Sequence, residues 1–228
     1  MALKTKVDYF GLASAGIEVA STSENRTQGS VSAVDETGFI VAMDTFGDET
    51  LAPTCDYVVT ADATLANISL GQVTTVENKQ IALGSLTITT RAGEAPTISA
   101  SGSQIEAGGK AHCLAKLNSI TLSGLFHAQN FDLFTIDGGQ LTDSTLTAEG
   151  NIGTAVVDGV IKASDLVGGK ITISGTLIGV NDLGEISTPT VTPSDGGIMT
   201  QPLTESNPNG DYPTYTFTCE FPLTATNA

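Results

Sequence analysis

Both histidines of the chain, and one of its three cysteines, lie in the stretch KAHCLAKLNSITLSGLFHAQNF at 110–131. His112 and Cys113 would point to opposite faces of a strand and would lie about 100° apart on a helix, so they cannot share a metal ion in either structure. His127 can approach His112 only across a hairpin, whereas a structural zinc site takes four protein ligands. We therefore predict no metal site here and interpret the histidines as strand residues, with His127 near a turn or a subunit contact.

The sequence also lacks the patterns that carry nucleophilic and acid–base catalysis. Serine and threonine are abundant, but no G-x-S-x-G elbow occurs and no orienting group accompanies a Cys–His pair. Adjacent acids on a strand point to opposite faces, and turns favour aspartate for their own hydrogen bonds. The adjacent acidic pairs beside turn residues are Asp35 with Glu36 and Asp48 with Glu49. We predict no catalytic residues and a non-enzymatic protein.

Glycine-rich and acidic segments are the remaining places where a phosphate or a cation could bind. The AGG at 107–109 and the VGG at 167–169 lack the Lys and Ser/Thr of a phosphate-binding loop. The segment DTFGDE at 44–49 offers oxygen ligands suited to calcium, but its spacing does not match an EF-hand loop. We interpret all three as turns or loops, and predict no cofactor, no cofactor-binding residues and no metal ligands.

Acidic residues outnumber basic residues by 25 to 9, which gives a formal charge of -16. Nucleic-acid binding depends largely on cations that displace counterions from phosphates, so this balance excludes a conventional DNA-binding or RNA-binding protein. The acids are scattered singly, which is typical of a solvated and soluble surface. The second interpretation is a surface that repels DNA, as a conduit for sliding DNA would require.

The cysteines and the N-terminal stretch indicate folding in a cytoplasm. Cys55, Cys113 and Cys219 are odd in number and form no C-x-x-C pair, so we expect reduced, partly buried thiols. Glu18 interrupts the N-terminal stretch, and no apolar run of useful length precedes a cleavage site. No segment approaches the ~20 apolar residues that span a bilayer. We expect no membrane association.

The pattern along the chain predicts strands almost throughout. Apolar residues make up 40% of the sequence, which is enough to build a core. From Gly29 onward, runs rich in Val, Ile, Leu and Thr are divided by turn residues at spacings of roughly 8 to 12 residues. SVSAV, the turn candidate at 35–38 and FIVAM predict a hairpin. The last run, YTFTCEFPL at 215–223, alternates apolar and polar residues, and its Pro222 indicates a sheet edge or a strand end. These features predict a single all-β domain over 1–228, a β-sandwich or a barrel.

Four segments depart from this strand pattern. KAHCLAKL at 110–117 and ASDLVGG at 163–169 are candidates for short helices, and KAHCLAKL is also compatible with a strand. Residues 1–28 lack sustained periodicity, and we predict an N-terminal arm there. Residues 181–212 gather prolines and glycines, and we interpret them as a long assembly loop.

Three stretches carry a resemblance to a known class of proteins: TCDYVVTADATL, LTITTRAGEAPTISASG and LFHAQNFDLFTIDGGQLTDSTLTAEG. In their composition and order of strands, over residues 30–180, they resemble virion structural proteins of tailed bacteriophages, particularly tail tube subunits (major tail proteins). The resemblance implies a β-sandwich or barrel protomer whose sheets join those of its neighbours in a ring, often a hexamer, that stacks through arms and loops. It also implies a helix beside the sheet, for which only the two helical candidates are available.

The function expected from this resemblance is a phage tail tube with an acidic lumen. Its partners would be further copies of the chain in a hexameric ring, other virion proteins, and DNA as a non-adhesive cargo, and the protein would be made in the bacterial cytoplasm and located in the virion. The alternatives are a capsid decoration protein, a head fibre or a connector, and a carbohydrate-binding or cell-surface β module. Carbohydrate-binding modules display aromatic platforms, and the sequence contains no Trp.

Overall fold

The computed structural model describes residues 6–66, 68–105, 113–117, 120–122, 127–157, 160–194, 196–207, 212–223 and 225–227. These residues form strands and no helix, so the all-β fold class predicted from the sequence is confirmed. The strands are β1 (Ile17–Val34), β2 (Ile40–Val59), β3 (Ala63–Leu65), β4 (Ser69–Leu70), β5 (Val73–Val76), β6 (Lys79–Arg91), β7 (Thr97–Ile105), β8 (Cys113–Lys116), β9 (Ile120–Leu122), β10 (Phe134–Asp137), β11 (Gln140–Val157), β12 (Val160–Ile178), β13 (Thr190–Pro193), β14 (Ile198–Ser206), β15 (Thr214–Pro222) and β16 (Ala225–Asn227).

One large antiparallel sheet dominates the described part of the chain. Its nine strands follow the order β1-β2-β7-β6-β11-β12-β15-β14, with β5 paired to β6 beside this path. Three small sheets accompany it: β10 with β13, β16 with β8 and β4, and β3 with β9. The connections within the large sheet are mostly hairpins, which suit antiparallel neighbours.

The inner face of the large sheet is apolar because its strands alternate apolar and hydroxyl-bearing residues. The predicted alternation of the final strand is confirmed, since Tyr215, Phe217, Cys219 and Phe221 are buried and Pro222 ends the strand. Residues of the small sheets belong to the same core, and the Phe134 ring of β10 meets the Phe217 ring edge-on at 5.1 Å between centroids. The inward-facing residues of the other central strands are Tyr57, Leu86, Ile88, Ile98, Ala100, Leu146, Ala148, Ile173 and Leu177.

The prediction of an arm over residues 1–28 is wrong for the residues that the structure describes. Residues 17–28 belong to β1, and Tyr9 and Phe10 are buried in the core. The Asp8 carboxylate organises the segment before β1, because it accepts backbone N–H bonds from residues 10 to 13 at 2.9 to 3.3 Å. It also accepts the Tyr57 hydroxyl at 2.7 Å, which joins this segment to β2.

Pairing between strands resolves three other local predictions. Residues 163–169 lie in β12, and of KAHCLAKL, for which both a helix and a strand were open, residues 113–116 form the strand β8 between β16 and β4. The predicted loop at 181–212 contains β13 and β14, so only part of it is loop. In each case, hydrogen bonds to a neighbouring strand of a sheet override the local preference that the sequence shows. The predicted hairpin around residues 35–38 is confirmed, as Asp35 and Phe39 close the turn between β1 and β2.

The two longest hairpins, β1–β2 and β11–β12, extend beyond their last pairs with the inner strands of the sheet. Both extensions lie at the same end of the sheet. The last pairs that join them to inner strands lie on one row across the sheet: Thr54–Ser101–Ser85–Glu149–Lys170–Pro222. Beyond this row, residues 24–53 pair only with each other among the described residues, and we call them the first ribbon. Residues 150–157 and 160–169 form the second ribbon in the same way. The eleven β1 residues 24–34 carry the first ribbon roughly 36 Å past the row.

A buried polar network joins the inner face to the loop that precedes β10. Thr90 and Ser144 are the buried polar residues of the described core, and their hydroxyl oxygens lie 2.8 Å apart. The Gln129 N–H donates to the Thr90 hydroxyl at 3.0 Å, and the Ser144 hydroxyl lies 2.6 Å from the Gln129 carbonyl. Each polar group here therefore has a partner, as burial requires.

We predict that Thr90→Val lowers the free energy of unfolding by about 1–3 kcal/mol, because it removes a fully buried hydroxyl that bonds both to Ser144 and to the Gln129 N–H. The measurement is urea denaturation followed by circular dichroism. Thr87→Val is the matched control, since Thr87 lies on the same strand but faces outward. The Thr90→Val/Ser144→Ala double variant should cost less than the sum of its single changes, because the two hydroxyls share partners. Equal effects of Thr90→Val and Thr87→Val would contradict this account.

Candidate functional site

The residues that the sequence singled out as chemically capable do not come together. His127 is exposed in a bend, whereas His112 lies outside the described residues. Cys55 in β2 and Cys219 in β15 are buried free thiols, and burial raises the pKa of both. Cys113 lies in β8. Within the described ranges, no group of three or more His, Cys, Asp or Glu side chains is placed to hold a metal ion.

The acidic pair at the hairpin turn has a structural role. The Asp35 carboxylate accepts the Thr37 hydroxyl at 2.7 Å and the N–H groups of Thr37 and Phe39 at 2.9 Å each. These bonds lower the pKa of Asp35, and the bond from the Thr37 hydroxyl has the largest effect. Such Asp-stabilised turns need no ligand. The acidic segment 44–49 is not a loop, because it lies in β2.

A polar cavity of about 330 Å³ lies at the end of the sheet opposite the ribbons. Asp137, Asn181, Asp182 and Ser187 are among its lining residues. The Asn181 side chain is already engaged, because its oxygen accepts the N–H groups of residues 183 and 185. The described lining residues include no histidine, cysteine or lysine.

The most extensive chemical feature is the outer face of the large sheet, which carries rows of hydroxyl groups. Cross-strand register aligns two such rows, each running over several neighbouring strands. Hydroxyls on these rows bond to one another or to acids: Ser174 to Thr218 at 3.2 Å, and Ser99 to Asp56 at 2.8 Å. Ser85 bonds to Ser101 at 2.7 Å on the row that also contains Thr54 and Pro222. The rows are Ser21–Asp56–Ser99–Thr87–Thr147–Thr172–Glu220 and Thr97–Thr89–Thr145–Ser174–Thr218.

Carboxylates outnumber cations on this outer face. The strand alternation places Arg91 and Lys170 outward, and Lys170 is neutralised by Glu220 at 2.6 Å. That contact raises the pKa of Lys170. The outward carboxylates are Glu18, Asp56, Asp143, Glu149 and Glu220. A face with more acids than cations and many neutral hydroxyls stays hydrated and repels phosphate groups.

The two edges of the large sheet form the second part of the candidate site. In the described residues, β1 pairs only with β2, and β14 pairs only with β15. Edge strands present unpaired backbone N–H and C=O groups that can extend a sheet into another chain. Pro202 lies in β14, and two register shifts interrupt its pairing with β15. These features restrict which partner strands the β14 edge accepts.

We predict that Cys55 and Cys219 resist alkylation in the folded protein, because both thiols are buried and their raised pKa values suppress the reactive thiolate. Treatment with iodoacetamide at pH 8, followed by peptide mass spectrometry, should find both residues unmodified. The same treatment in guanidinium chloride is the control and should label both. Rapid labelling of either residue without denaturant would show that the core is open.

In the part of the chain that the structure describes, no helix has the length and apolar character needed to cross a membrane. No protein-family model matches the sequence, and no curated protein is recognisably related to it.

Proposed function

We propose that the chain is a non-enzymatic virion structural protein that assembles with copies of itself into a phage tail tube, a conduit of stacked rings for DNA. The observation that carries this proposal is the large antiparallel sheet that is open at both edges, β1 and β14. The sequence resemblance to tail tube subunits supports the same function. A hexameric ring is the expected order.

The strand directions of the large sheet favour head-to-tail association. The path from β1 to β14 contains eight strands, and each neighbouring pair on it is antiparallel. The two edge strands therefore run in opposite directions. When copies stand side by side in the same orientation, β14 of one copy meets β1 of the next in antiparallel orientation. A repeated head-to-tail contact of this kind closes into a ring when its rotation closes.

The outer face has the character that a DNA conduit needs. Its hydroxyl rows hold water, and its carboxylates outnumber its cations. Acidic residues also outnumber basic residues in the whole chain, which has a formal charge of -16. Phosphate binding requires lysine or arginine contacts, and the outward Lys170 is already paired with Glu220. In a ring with this face inward, DNA would find few places to adhere.

One feature that the resemblance implies is missing from the described residues, namely a helix beside the sheet. Its absence argues against a close match to the tube subunits that carry such a helix. The core is completed by strands from the small sheets and by the segment around Tyr9 and Phe10. The proposal therefore depends on the sheet edges and the outer face.

Negative-stain electron microscopy of the purified chain tests the proposal directly. We expect hollow rings or stacked tubes, because both edges of each sheet find partners only in a closed ring. Compact particles without a central channel would contradict the tail tube and favour a capsid decoration protein, a head fibre or a connector. Monomers at all concentrations would contradict self-assembly.

A charge placed on the open edge should interfere with ring formation. We expect the double variant Thr200→Lys/Thr204→Lys on β14 to shift the protein toward monomers, because lysines on an edge strand oppose strand pairing. The double variant Ala15→Lys/Thr188→Lys is the matched control, since it adds the same charge at exposed positions outside the strands. Analytical ultracentrifugation measures the distribution of species. If both variants assemble equally well, the β14 edge is not the joint.

A further inference from the structure

Beyond its base, where Leu51 and Pro53 are buried, the first ribbon has no second layer to pack against among the described residues. Two-stranded hairpins are marginally stable in water unless a third strand or another surface covers them. Along the first ribbon, β1 residues 23–28 and 30–34 and β2 residues 40–45 are exposed. The ribbon also projects roughly 36 Å beyond the last row that joins it to the sheet. A ribbon of this length, exposed along most of its described residues, indicates that another surface covers it.

The end of the first ribbon is apolar as well as exposed. We call residues 31–43 the apolar tip. Phe39 is 72% exposed and Met43 is 70% exposed. Large exposed apolar groups scattered singly are ordinary, but a cluster of them marks an interaction site. The cluster consists of Val31, Val34, Phe39, Ile40, Val41 and Met43, each more than half exposed.

A groove of complementary character lies elsewhere on the same chain, beside the β14 edge. We call it the β14–β15 groove, and it encloses about 310 Å³ between Ile198, Phe221 and Pro222, with Lys170 and Glu220 at its side. Gly197 lets the chain pass over the Phe221 ring, since a Cβ at this position would overlap the ring. Ile198 is exposed, so the groove presents apolar surface to solvent.

The dimensions of the chain allow the apolar tip of one copy to reach the groove of another. The nine-residue strand β15 spans about 30 Å along the sheet. The ribbon projects slightly further than this from the last row that it shares with the sheet, and β5, β6 and β7 continue past that row by only about four residues. It is therefore long enough to lie along β15 of a stacked copy. The tip then arrives at the ribbon end of that copy, where the groove lies, because Lys170 and Pro222 belong to the row at that end.

We propose that the apolar tip of one copy inserts into the β14–β15 groove of a second copy stacked on it, with Phe39 as the anchor. This inference rests on the self-assembly proposed above. Apolar surface on the tip meets apolar surface in the groove. The tip and the groove are different surfaces, so the contact is head-to-tail and repeats from copy to copy.

Disulfide trapping between two singly substituted chains tests the contact. Phe39→Cys and Ile198→Cys proteins are purified separately under reducing conditions, mixed, assembled and oxidised. We expect a covalent dimer on non-reducing gels in the mixture, and not in either protein alone or in the unsubstituted chain. The control mixture contains Ser174→Cys with Ile198→Cys, because Ser174 is exposed on the outer face of the sheet, away from both of its ends. Equal cross-linking in the control mixture would overturn the proposal, as would cross-linking of Phe39→Cys with itself.

A second measurement separates this inference from the proposed function. Phe39→Ser should weaken stacking about tenfold or more, because truncation of a buried aromatic anchor has a large effect on association. Ser174→Ala is its control and should leave stacking unchanged, because Ser174 lies on the outer face away from both ends of the sheet. Single rings that form normally and stack normally with Phe39→Ser would overturn the docking of the tip and leave the tail tube intact. Absence of any ring in the unsubstituted protein would overturn the proposed function itself.

Discussion

The backbone groups along the two edges of the large sheet are the constraint on which the rest of this structure depends. Each N–H and C=O on an edge that is not bonded to protein must be bonded to water, and a sheet that stays open keeps two such rows. The chain does not close the sheet on itself, since β1 and β14 do not pair with each other in the described residues. Three features affect which strands can pair with these edges: the irregular pairing of β14, the solvated first ribbon and the even number of strands.

Threonine and serine suit both the geometry of the strands and the hydration of the outer face of the sheet. Their branched or short side chains suit strands, and their hydroxyls satisfy one another across the outer face without introducing charge. The inner face needs only modest volume beneath the sheet, and aliphatic residues with a few aromatic rings such as Phe134 and Phe217 fill it. The same alternation thus produces a core on one side and a hydrated surface on the other.

The sequence predicted those parts of the fold in which burial leaves a periodic signal. The final strand alternates because one face is buried, and the Asp35 turn is visible because its residue types are turn-forming. Residues 17–28 show no periodic pattern of apolar residues. Residues 24–28 belong to the first ribbon, where exposed strands need no alternation of apolar and polar residues. The short helical candidate at 163–169 failed for another reason, since pairing with residues 150–155 across the β11–β12 hairpin makes it a strand. The Thr90–Ser144 network and the groove at Phe221 are formed by residues that are distant in sequence and close in space. No local sequence pattern therefore predicted them.

Both ribbons leave the sheet at one end, while the polar cavity beside Asp137 lies at the other. The protomer therefore has a direction. A stack of such protomers would carry that direction along its full length, with free tips at one terminus and unfilled grooves at the other. Growth and termination would then require different chemistry. A capping protein at the tip terminus would need an apolar cleft, and an initiating protein at the opposite terminus would need a projecting apolar finger.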